Sequence, residues 1–269
     1  MPSLLQRLRS VRHRFWFGFS EKLRWSRGMY SEAPARELPP QGGDVTLRIG
    51  ELRTHYGVQF ERQLSAETSI NNYEYLDILD SAWRQSGLPA PRGGTVCDVG
   101  CANFWYAAAL HAFFRPQRLI GIDIEGHRLY RDGHTRVDYA AGYAAALPNT
   151  EFRVADFGSC RLPADVITAW FPFVTPAAIL AWRLPLSLLD PQRLFRRIRE
   201  NLNPGGIYVM VNHGLDEAAL ADDLCVAAGF RPLSRWMEPG PFSRRRRMPP
   251  VFSVWAVRVN PPPVNPLQS

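Results

Sequence analysis

The chain has 269 residues, of which 46% are hydrophobic, and a formal net charge of +7. A chain of this length can bury one substantial core, and its apolar runs are too often interrupted by Pro, Arg or Asp to span a bilayer or to form a secretory signal. Its four cysteines are few and scattered, which predicts reduced thiols in a cytoplasmic protein and argues against disulfides or a metal site.

The first segment, residues 1–30, carries most of the net charge. It holds seven basic residues against the single Glu21, and the remainder of the chain is nearly neutral, so charge alone is weak evidence for nucleic acid. Between residues 3 and 27 apolar side chains recur at steps of three and four with arginines between them: Leu4, Leu8, Val11, Phe15, Phe19 and Leu23. This pattern predicts a basic amphipathic helix that lies on an anionic membrane. Docking on the protein's own core, partner binding and an RNA-contacting arm are the alternatives.

Two further segments precede the main alternating pattern. Residues 31–43 have the proline and glycine content of a linker and no periodicity, and residues 44–92 are expected to form a helical cap region. One helix candidate in that region ends at Gly87 and presents an apolar face: Tyr75, Leu76, Leu79 and Trp83. We expect this helix to pack on a sheet and to help cover a ligand.

From residue 93 to residue 259 strand and helix patterns alternate, which predicts one α/β domain with a parallel sheet and crossover helices. The predicted strands are 95–99, 118–123, 151–155, 165–170, 206–212, 231–237 and 251–259. The predicted helices are 103–114, 134–147, 176–183, 190–202 and 216–228. No helix separates the last two strands, so the final strand should be antiparallel, and residues 260–269 should be a disordered tail.

Three aspartates mark the ends of successive predicted strands. Asp98 precedes a turn at Gly100, Asp123 closes the second strand, and Asp156 follows the third. Because the carboxyl ends of parallel strands share one edge, where ligands of open α/β sheets bind, these acids predict a site for a nucleoside-bearing cofactor. Each acid alone could simply be a turn former or a helix cap, but that explanation accounts poorly for all three.

The turn after the first strand reads Asp98-Val99-Gly100-Cys101-Ala102-Asn103-Phe104. Together with the three acids, the Asn-Pro-Gly-Gly turn at 203–206 and the C-terminal hairpin, it resembles the class I methyltransferases that use S-adenosylmethionine, over about residues 70–259. In that family the turn typically reads acid-x-Gly-x-Gly-x-Gly, so Ala102 and Phe104 replace two glycines. The resemblance implies a Rossmann-like, seven-stranded, mostly parallel sheet with an antiparallel C-terminal strand and helices on both faces, here preceded by an N-terminal helical extension.

The resemblance also implies a set of cofactor contacts. Asp98 would hold the ammonium group of the methionine moiety, directly or through water. Asp123 would hold the ribose hydroxyls, and Asp156 the adenine amino group. Gly100 lets the backbone approach the ligand, and amides at the start of the following helix can meet a carboxylate. The predicted cofactor-binding residues are Asp98, Gly100, Cys101, Ala102, Asn103, Asp123, Ile124, Asp156, Phe157 and Trp170.

A dinucleotide-dependent dehydrogenase is the nearest alternative among α/β folds. Its fingerprint is G-x-G-x-x-G, whereas Gly100 is followed here by Ala102 and by Trp105. The bulky Trp105 would obstruct the contact between helix and strand that the third glycine permits. The turn therefore favours S-adenosylmethionine over a dinucleotide.

The segment after the fourth strand faces the transferred methyl group in this family. Methylases of DNA-base amines carry an Asn-or-Asp-Pro-Pro-aromatic motif there, whereas this chain has Ala169-Trp170-Phe171-Pro172-Phe173, without a polar side chain. These aromatic residues predict an apolar wall for the acceptor, although they could equally pack a helix onto the sheet. His213, just past the fifth strand, is the candidate catalytic base. Its alternative role is to cap the next helix together with Asn212.

The sequence thus predicts a cytoplasmic S-adenosylmethionine-dependent methyltransferase that acts on a small-molecule or lipid-like acceptor, with peripheral membrane contact through residues 3–27. A nucleic-acid partner is not favoured. The alternatives are a non-catalytic methyltransferase-like binding module, which the altered glycine turn suggests, and an RNA or protein methyltransferase.

Overall fold

A seven-stranded sheet forms the centre of the computed structural model, which describes residues 2–237, 240–242 and 248–258. The strand order is β3-β2-β1-β4-β5-β7-β6. The strands are β1 (Thr95–Val99), β2 (Arg118–Asp123), β3 (Thr150–Val154), β4 (Ala164–Trp170), β5 (Leu202–His213), β6 (Phe230–Trp236) and β7 (Pro250–Val257). Strands β1 to β5 pair in parallel, and β7 lies antiparallel between β5 and β6. The predicted mostly parallel sheet with an antiparallel final strand is confirmed.

Helices cover both faces of this sheet. They are α1 (Leu4–Leu23), α2 (Gly43–Tyr56), α3 (Ala66–Ser86), α4 (Ala107–Phe114), α5 (Arg136–Ala145), α6 (Pro176–Ala181), α7 (Pro191–Asn201) and α8 (Gly214–Ala227). Alternate residues of β5 serve the two layers: Val209 and Val211 pack in the core with α3 and α4, and Tyr208 and Met210 pack in the core with α7 and α8. Within the ranges that the structure describes, none of the helices is both long and apolar enough to cross a membrane.

Local sequence signals account for several helix boundaries. Thr135 and Asp138 form a reciprocal capping box at the start of α5. The Asp190 side chain accepts a hydrogen bond from the amide of Arg193 at the start of α7, with Pro191 in the first turn. Gly87 ends α3 with a φ of 65°, a left-handed conformation that glycine adopts without steric cost.

Two boundaries differ from the predictions by four residues, and the others by no more than two. The helix after β1 begins at Ala107 rather than at 103, because Ala102 and Phe104 have φ values of 53° and 62°, which an α-helix cannot contain. Strand β5 begins at Leu202 rather than at 206, because Leu202 already pairs with Ala164 across an irregular step before the regular register resumes at Val166.

The segment between α1 and α2 is attached to the region that follows it. Residues 31–42 contain neither helix nor strand, and their backbone is tied to the following region by bonds from the Ala35 amide to the Leu64 carbonyl and from the Arg36 amide to the Glu61 carbonyl. The predicted disordered tail, residues 260–269, lies outside the described residues, as does residue 259 of the last predicted strand.

A buried ion cluster joins α2 to α3. The Arg48 Nε donates to Asp77 Oδ1 over 2.6 Å, and its Nη2 donates to Asp80 Oδ2 over 2.5 Å. Both carboxylates are almost fully buried, with side-chain exposures of 1% and 3%. The Tyr56 hydroxyl donates to the second oxygen of Asp80. This cluster holds α2 against α3, and α3 in turn supplies Tyr75 to the pocket at the sheet edge.

Candidate functional site

A pocket of about 490 Å³ lies at the carboxyl ends of the parallel strands. This volume is in the range of small-molecule and cofactor sites. Nine of the eleven predicted site residues line it, and the other two, Asp98 and Asn103, do not. Those that line it are Gly100, Cys101, Ala102, Asp123, Ile124, Asp156, Phe157, Trp170 and His213. The fold therefore brings most of the predicted residues together at one edge of the sheet.

The turn between β1 and α4 keeps a left-handed backbone at all three of its glycine-type positions. Gly100, Ala102 and Phe104 have φ values of 75°, 53° and 62°. A left-handed conformation costs a residue other than glycine roughly 1–2 kcal/mol. The Phe104 ring is fully buried, and it lies where Gly121 of β2 leaves space, since a Cβ on Gly121 would come 2.8 Å from the ring. Burial of this ring offsets the backbone strain.

The same turn is attached to β2 by its amides. The Gly100 amide donates to the Ile122 carbonyl over 2.8 Å, and the Ala102 amide donates to Asp123 Oδ2 over 2.8 Å. The position of the turn therefore depends on the acid at the end of the neighbouring strand.

Asp123 is largely satisfied within the protein. Besides the Ala102 amide, its carboxylate accepts from the Glu125 amide and from Arg136 Nη1 at 2.8 and 3.2 Å. A carboxylate has about four acceptor positions, so these three bonds leave room for about one ribose hydroxyl. Arg136 also pairs with Glu125, and all three charged side chains are less than a tenth exposed. Arg128 also pairs with Glu125, at 2.9 Å, so two arginines balance the charge of the two acids beside the pocket.

Asp98 lies beneath the pocket and not in its lining. It is fully buried, and its two oxygens accept from the Thr168 hydroxyl at 2.5 Å and from the Tyr106 hydroxyl at 2.7 Å. Burial raises the pKa of Asp98 to about 7, while the two hydroxyl donors oppose that shift. The predicted contact between Asp98 and an ammonium group, directly or through water, stays a prediction. Tyr106 lies between Asp98 and the pocket that it lines.

We expect Asp98→Asn to flatten the dependence of stability on pH. Because the pKa in the folded state lies above that of an exposed aspartate, the folded protein binds more protons than the unfolded chain between about pH 4 and 7. The free energy of unfolding then falls as pH rises through that window, by up to about 1.4 kcal/mol per pH unit. Asparagine removes this slope and should stabilise the protein above pH 7. Urea unfolding at a series of pH values measures it, and an unchanged slope in the variant would contradict the assignment.

Asp156 lies at the outer edge of the pocket. Its Oδ1 accepts from the Gly158 amide at 2.9 Å, and its Oδ2 is 3.0 Å from Arg193 Nη2. Both side chains of this ion pair are 41% exposed. The Ser159 hydroxyl also donates to Asp156 Oδ2, at 3.1 Å, so Asp156 has three protein partners as Asp123 does. Unlike Asp98 and Asp123, it is exposed to an incoming ligand.

Aromatic side chains from three parts of the chain form one wall of the pocket. The Tyr75 ring of α3 stacks on Tyr106 with a centroid distance of 4.3 Å, and Trp170, at the end of β4, lies 4.3 Å from Tyr75. Trp105 contacts both tyrosine rings. The buried Trp170 Nε1 has no hydrogen-bond partner among the described residues, so a ligand acceptor atom could satisfy it. The residues of the predicted apolar wall, Trp170, Phe171 and Phe173, also line the pocket, and the Trp170 indole adds a donor to it.

His213 lies in the pocket wall and stacks on Phe171. The two rings are 3.8 Å apart and nearly parallel, at 5°. His213 occupies the N-cap position of α8, but its side chain makes no capping hydrogen bond there. The Asn212 side chain and the His213 amide both donate to Glu217 Oε1 in the first turn of α8, so these groups help to cap the helix. The imidazole does not, and it lines the pocket.

Part of the pocket was not identified from the sequence. The Arg136 guanidinium, Trp182, Leu184 and Leu188 also line it. Arg136 lies within a predicted helix, and the other three lie between α6 and α7, in a segment that includes the 3-10 turn Leu186–Leu188. The proline-bounded apolar run after β4 was the available signal, but only tertiary packing shows that this segment folds back over the sheet edge.

No protein-family model matches the chain, and no curated protein matches it. Among solved structures, a chain from the complex of the Haloferax volcanii Trm112 methyltransferase activator with a candidate methyltransferase is similar, at 15% identity and a TM-score of 0.50, covering 69% of this chain and 94% of that one. A SAM-dependent methyltransferase from Aquifex aeolicus is 18% identical with a TM-score of 0.48, covering 69% and 92%. A glycopeptide N-methyltransferase complexed with sinefungin is 9% identical with a TM-score of 0.49, covering 69% and 87%. The first similarity, together with the strand order and the antiparallel β7, shows that the chain has the class I S-adenosylmethionine-dependent methyltransferase fold.

Proposed function

We propose that the protein is a methyltransferase that uses S-adenosylmethionine and acts on a small-molecule or lipid-like acceptor, in peripheral contact with a membrane through residues 3–27. One observation carries the enzymatic part: the left-handed turn at 100–104, Asp123 and Asp156 converge on one pocket at the carboxyl edge of the sheet. This is the edge at which open α/β sheets bind ligands. The residues present fit the cofactor, because Asp123 keeps an acceptor position, Asp156 is open, and Trp170 Nε1 is an unpartnered donor.

The chain's own residues would bind and orient the cofactor and the acceptor, and they would exclude water from the pocket. S-adenosylmethionine supplies an electrophilic methyl group when it is bound. Asp123 would accept a ribose hydroxyl and Asp156 the adenine amino group, while the wall of Tyr75, Tyr106 and Trp170 excludes water from the acceptor. Correct orientation alone can supply effective molarities of about 10⁵–10⁸ M. His213 would take a proton only where the acceptor atom must lose one.

The alternatives receive less support. A non-catalytic binding module was suggested by the altered glycine turn, but Ala102 and Phe104 keep the left-handed backbone that glycines would adopt. For an RNA acceptor, a basic lining would be expected. The two arginines that line the pocket, Arg136 and Arg193, are paired with Asp123 and Asp156. The aromatic wall at Trp170, Phe171 and Phe173 supports a small or lipid-like acceptor.

Two experiments test the proposal. Calorimetry measures the binding of S-adenosylmethionine, and a transfer assay measures the labelled methyl group that reaches a lipid and metabolite extract. We expect binding, and we expect His213→Ala to lower turnover by about 10²–10⁴-fold with unchanged cofactor affinity if His213 is the base. His55→Ala, an exposed histidine on α2, is the matched control and should leave turnover unchanged. No binding at millimolar cofactor would refute the methyltransferase assignment, and equal turnover of both variants would remove His213 from the mechanism.

A further inference from the structure

Helix α1 presents its apolar face to solvent. The outward face, defined here as Leu4, Leu8, Val11, Phe15 and Phe19, consists of side chains that are between 50% and 76% exposed. Trp16 and Leu23 extend it on one side and are also more than half exposed. Isolated apolar residues on a surface are ordinary, but a continuous stripe along a helix marks an interaction site.

The opposite face of α1 is already occupied by the protein. The buried residues of the helix are the polar Ser10 and His13. The Leu186 amide donates to Ser10 Oγ over 2.9 Å, and His13 Nδ1 lies 3.3 Å from the Leu184 carbonyl oxygen. Phe17 packs beside them against Leu184 and its neighbours. The helix is therefore docked by its more polar side, which leaves the apolar outward face for another partner.

This docking places α1 directly behind two residues that line the pocket, Ile179 and Leu184. Leu184 contacts α1 through its carbonyl and also lines the pocket. Ile179 shares a hydrophobic cluster with Phe17 and lines the pocket as well. Trp182, two residues before Leu184, lines the pocket and is 40% exposed, so it forms part of the pocket rim. Helix α1 and this part of the rim are thus neighbours.

We propose that an anionic lipid surface covers the outward face of α1, and that the pocket rim at Trp182 lies beside that surface, so that the acceptor is an amphiphile residing in it. The statement about the acceptor rests on the proposed methyltransferase function. The binding of α1 to a lipid surface does not. Charge complementarity supports the occupant: Arg7 and Arg14 fall on one edge of the outward face, Arg12 and Arg9 fall on the other, and all four are exposed. Such a helix, apolar in the middle and basic at its edges, is suited to the headgroup boundary of an anionic membrane.

Other occupants fit these features less well. A second copy of the chain would bring the arginine edges of two α1 helices together, and like charges oppose that pairing. A nucleic acid would meet the arginines, but its phosphates would gain nothing from a stripe of leucine and phenylalanine side chains. A lipid surface uses both the apolar centre and the basic edges.

Vesicle sedimentation of the full chain tests the surface. We expect the wild type to bind phosphatidylcholine vesicles that contain phosphatidylglycerol, and Leu8→Ser/Phe15→Ser to lower the partition coefficient more than about tenfold. Arg7→Gln/Arg14→Gln should lower it about tenfold or more on the anionic vesicles only. The control Leu47→Ser/Leu220→Ser removes two exposed leucines on α2 and α8 and should bind like the wild type.

Equal partitioning of the wild type and Leu8→Ser/Phe15→Ser overturns the proposal. A dimer in sedimentation velocity that Leu8→Ser/Phe15→Ser abolishes, or salt-sensitive RNA binding lost in the same variant, overturns it in favour of that occupant.

Quenching by brominated phosphatidylcholine and phosphatidylglycerol vesicles tests the position of the rim. We expect the amount of tryptophan fluorescence lost on adding the brominated vesicles to be smaller in Trp16→Phe and in Trp182→Phe than in the wild type. It should be the same as in the wild type in the control Trp255→Phe, whose side chain is buried in the core. Unchanged quenching in Trp182→Phe overturns the placement of the pocket beside the surface. Neither experiment contains S-adenosylmethionine, so failure of vesicle binding leaves the enzymatic assignment intact, and failure of cofactor binding leaves the docking surface intact.

Discussion

Replacing Asp123 by asparagine is expected to weaken S-adenosylmethionine binding about a hundredfold or more. The carboxylate accepts from the Ala102 amide, the Glu125 amide and Arg136, and an amide nitrogen cannot accept on the side that it replaces. The turn at 100–104 would lose its anchor, Arg136 would lose a counter-charge while buried, and the ribose would lose its acceptor. Hydrogen bonds to charged groups contribute about 1.5–3 kcal/mol each, so losing two is sufficient for an effect of this size.

Asp165→Asn is the matched control for that experiment. Asp165 also accepts two hydrogen bonds, from the Thr95 amide and from Asn203 Nδ2, but it lies at the start of β4, near the opposite edge of the sheet. Its replacement should lower stability without changing cofactor affinity. Calorimetry on both variants, after circular dichroism has shown that each is folded at the assay temperature, measures the difference. If the two variants bind equally well, Asp123 has no part in holding the cofactor.

Arg48→Ala is expected to lower the free energy of unfolding by about 3–5 kcal/mol, because it removes the buried counter-charge that two buried carboxylates share. Asp77 and Asp80 are 1% and 3% exposed, and Arg48 reaches both. Burial already raises the pKa of Asp77, and the guanidinium of Arg48 is the main group that opposes this shift. Guanidinium chloride unfolding measures the loss.

Arg84→Ala serves as the control within the same cluster. Arg84 also pairs with Asp80, at 2.9 Å, but its side chain is 56% exposed. Arg84→Ala leaves Asp80 paired with the buried Arg48, and an arginine that is itself in solvent contributes about 0–1 kcal/mol, so this variant should stay close to the wild type. Comparable losses in the two variants would show that burial of the ion pair is not what makes Arg48 important.

Residue patterns alone were sufficient to predict the strands of the sheet and most of the residues that line the pocket. The apolar runs of β1 and β2, each with an acid near its carboxyl end, and the stop at residues 203–206 are local signals, and parallel strands necessarily bring their carboxyl ends to one edge. That is why Asp123, Asp156, Trp170 and His213 could be assigned to one site before the structure was known. Helix α2 was placed only within a broad helical region, because its inward face includes Arg48, whose partners lie 29 and 32 residues away.

Only the tertiary structure decided which side chains are buried and which face of each element packs against the protein. The sequence placed Asp98 at the sheet edge, but only packing shows that Tyr106 and Thr168 cover it and that its pKa is raised by burial. The sequence contained the apolar stripe of α1, but a helical period does not say which face meets the protein. In the structure the polar residues Ser10 and His13 face inward, because the carbonyl and amide groups of residues 184–186 need hydrogen-bond partners there. Periodicity determined the elements, and the satisfaction of buried polar groups decided their orientation and the accessibility of their side chains.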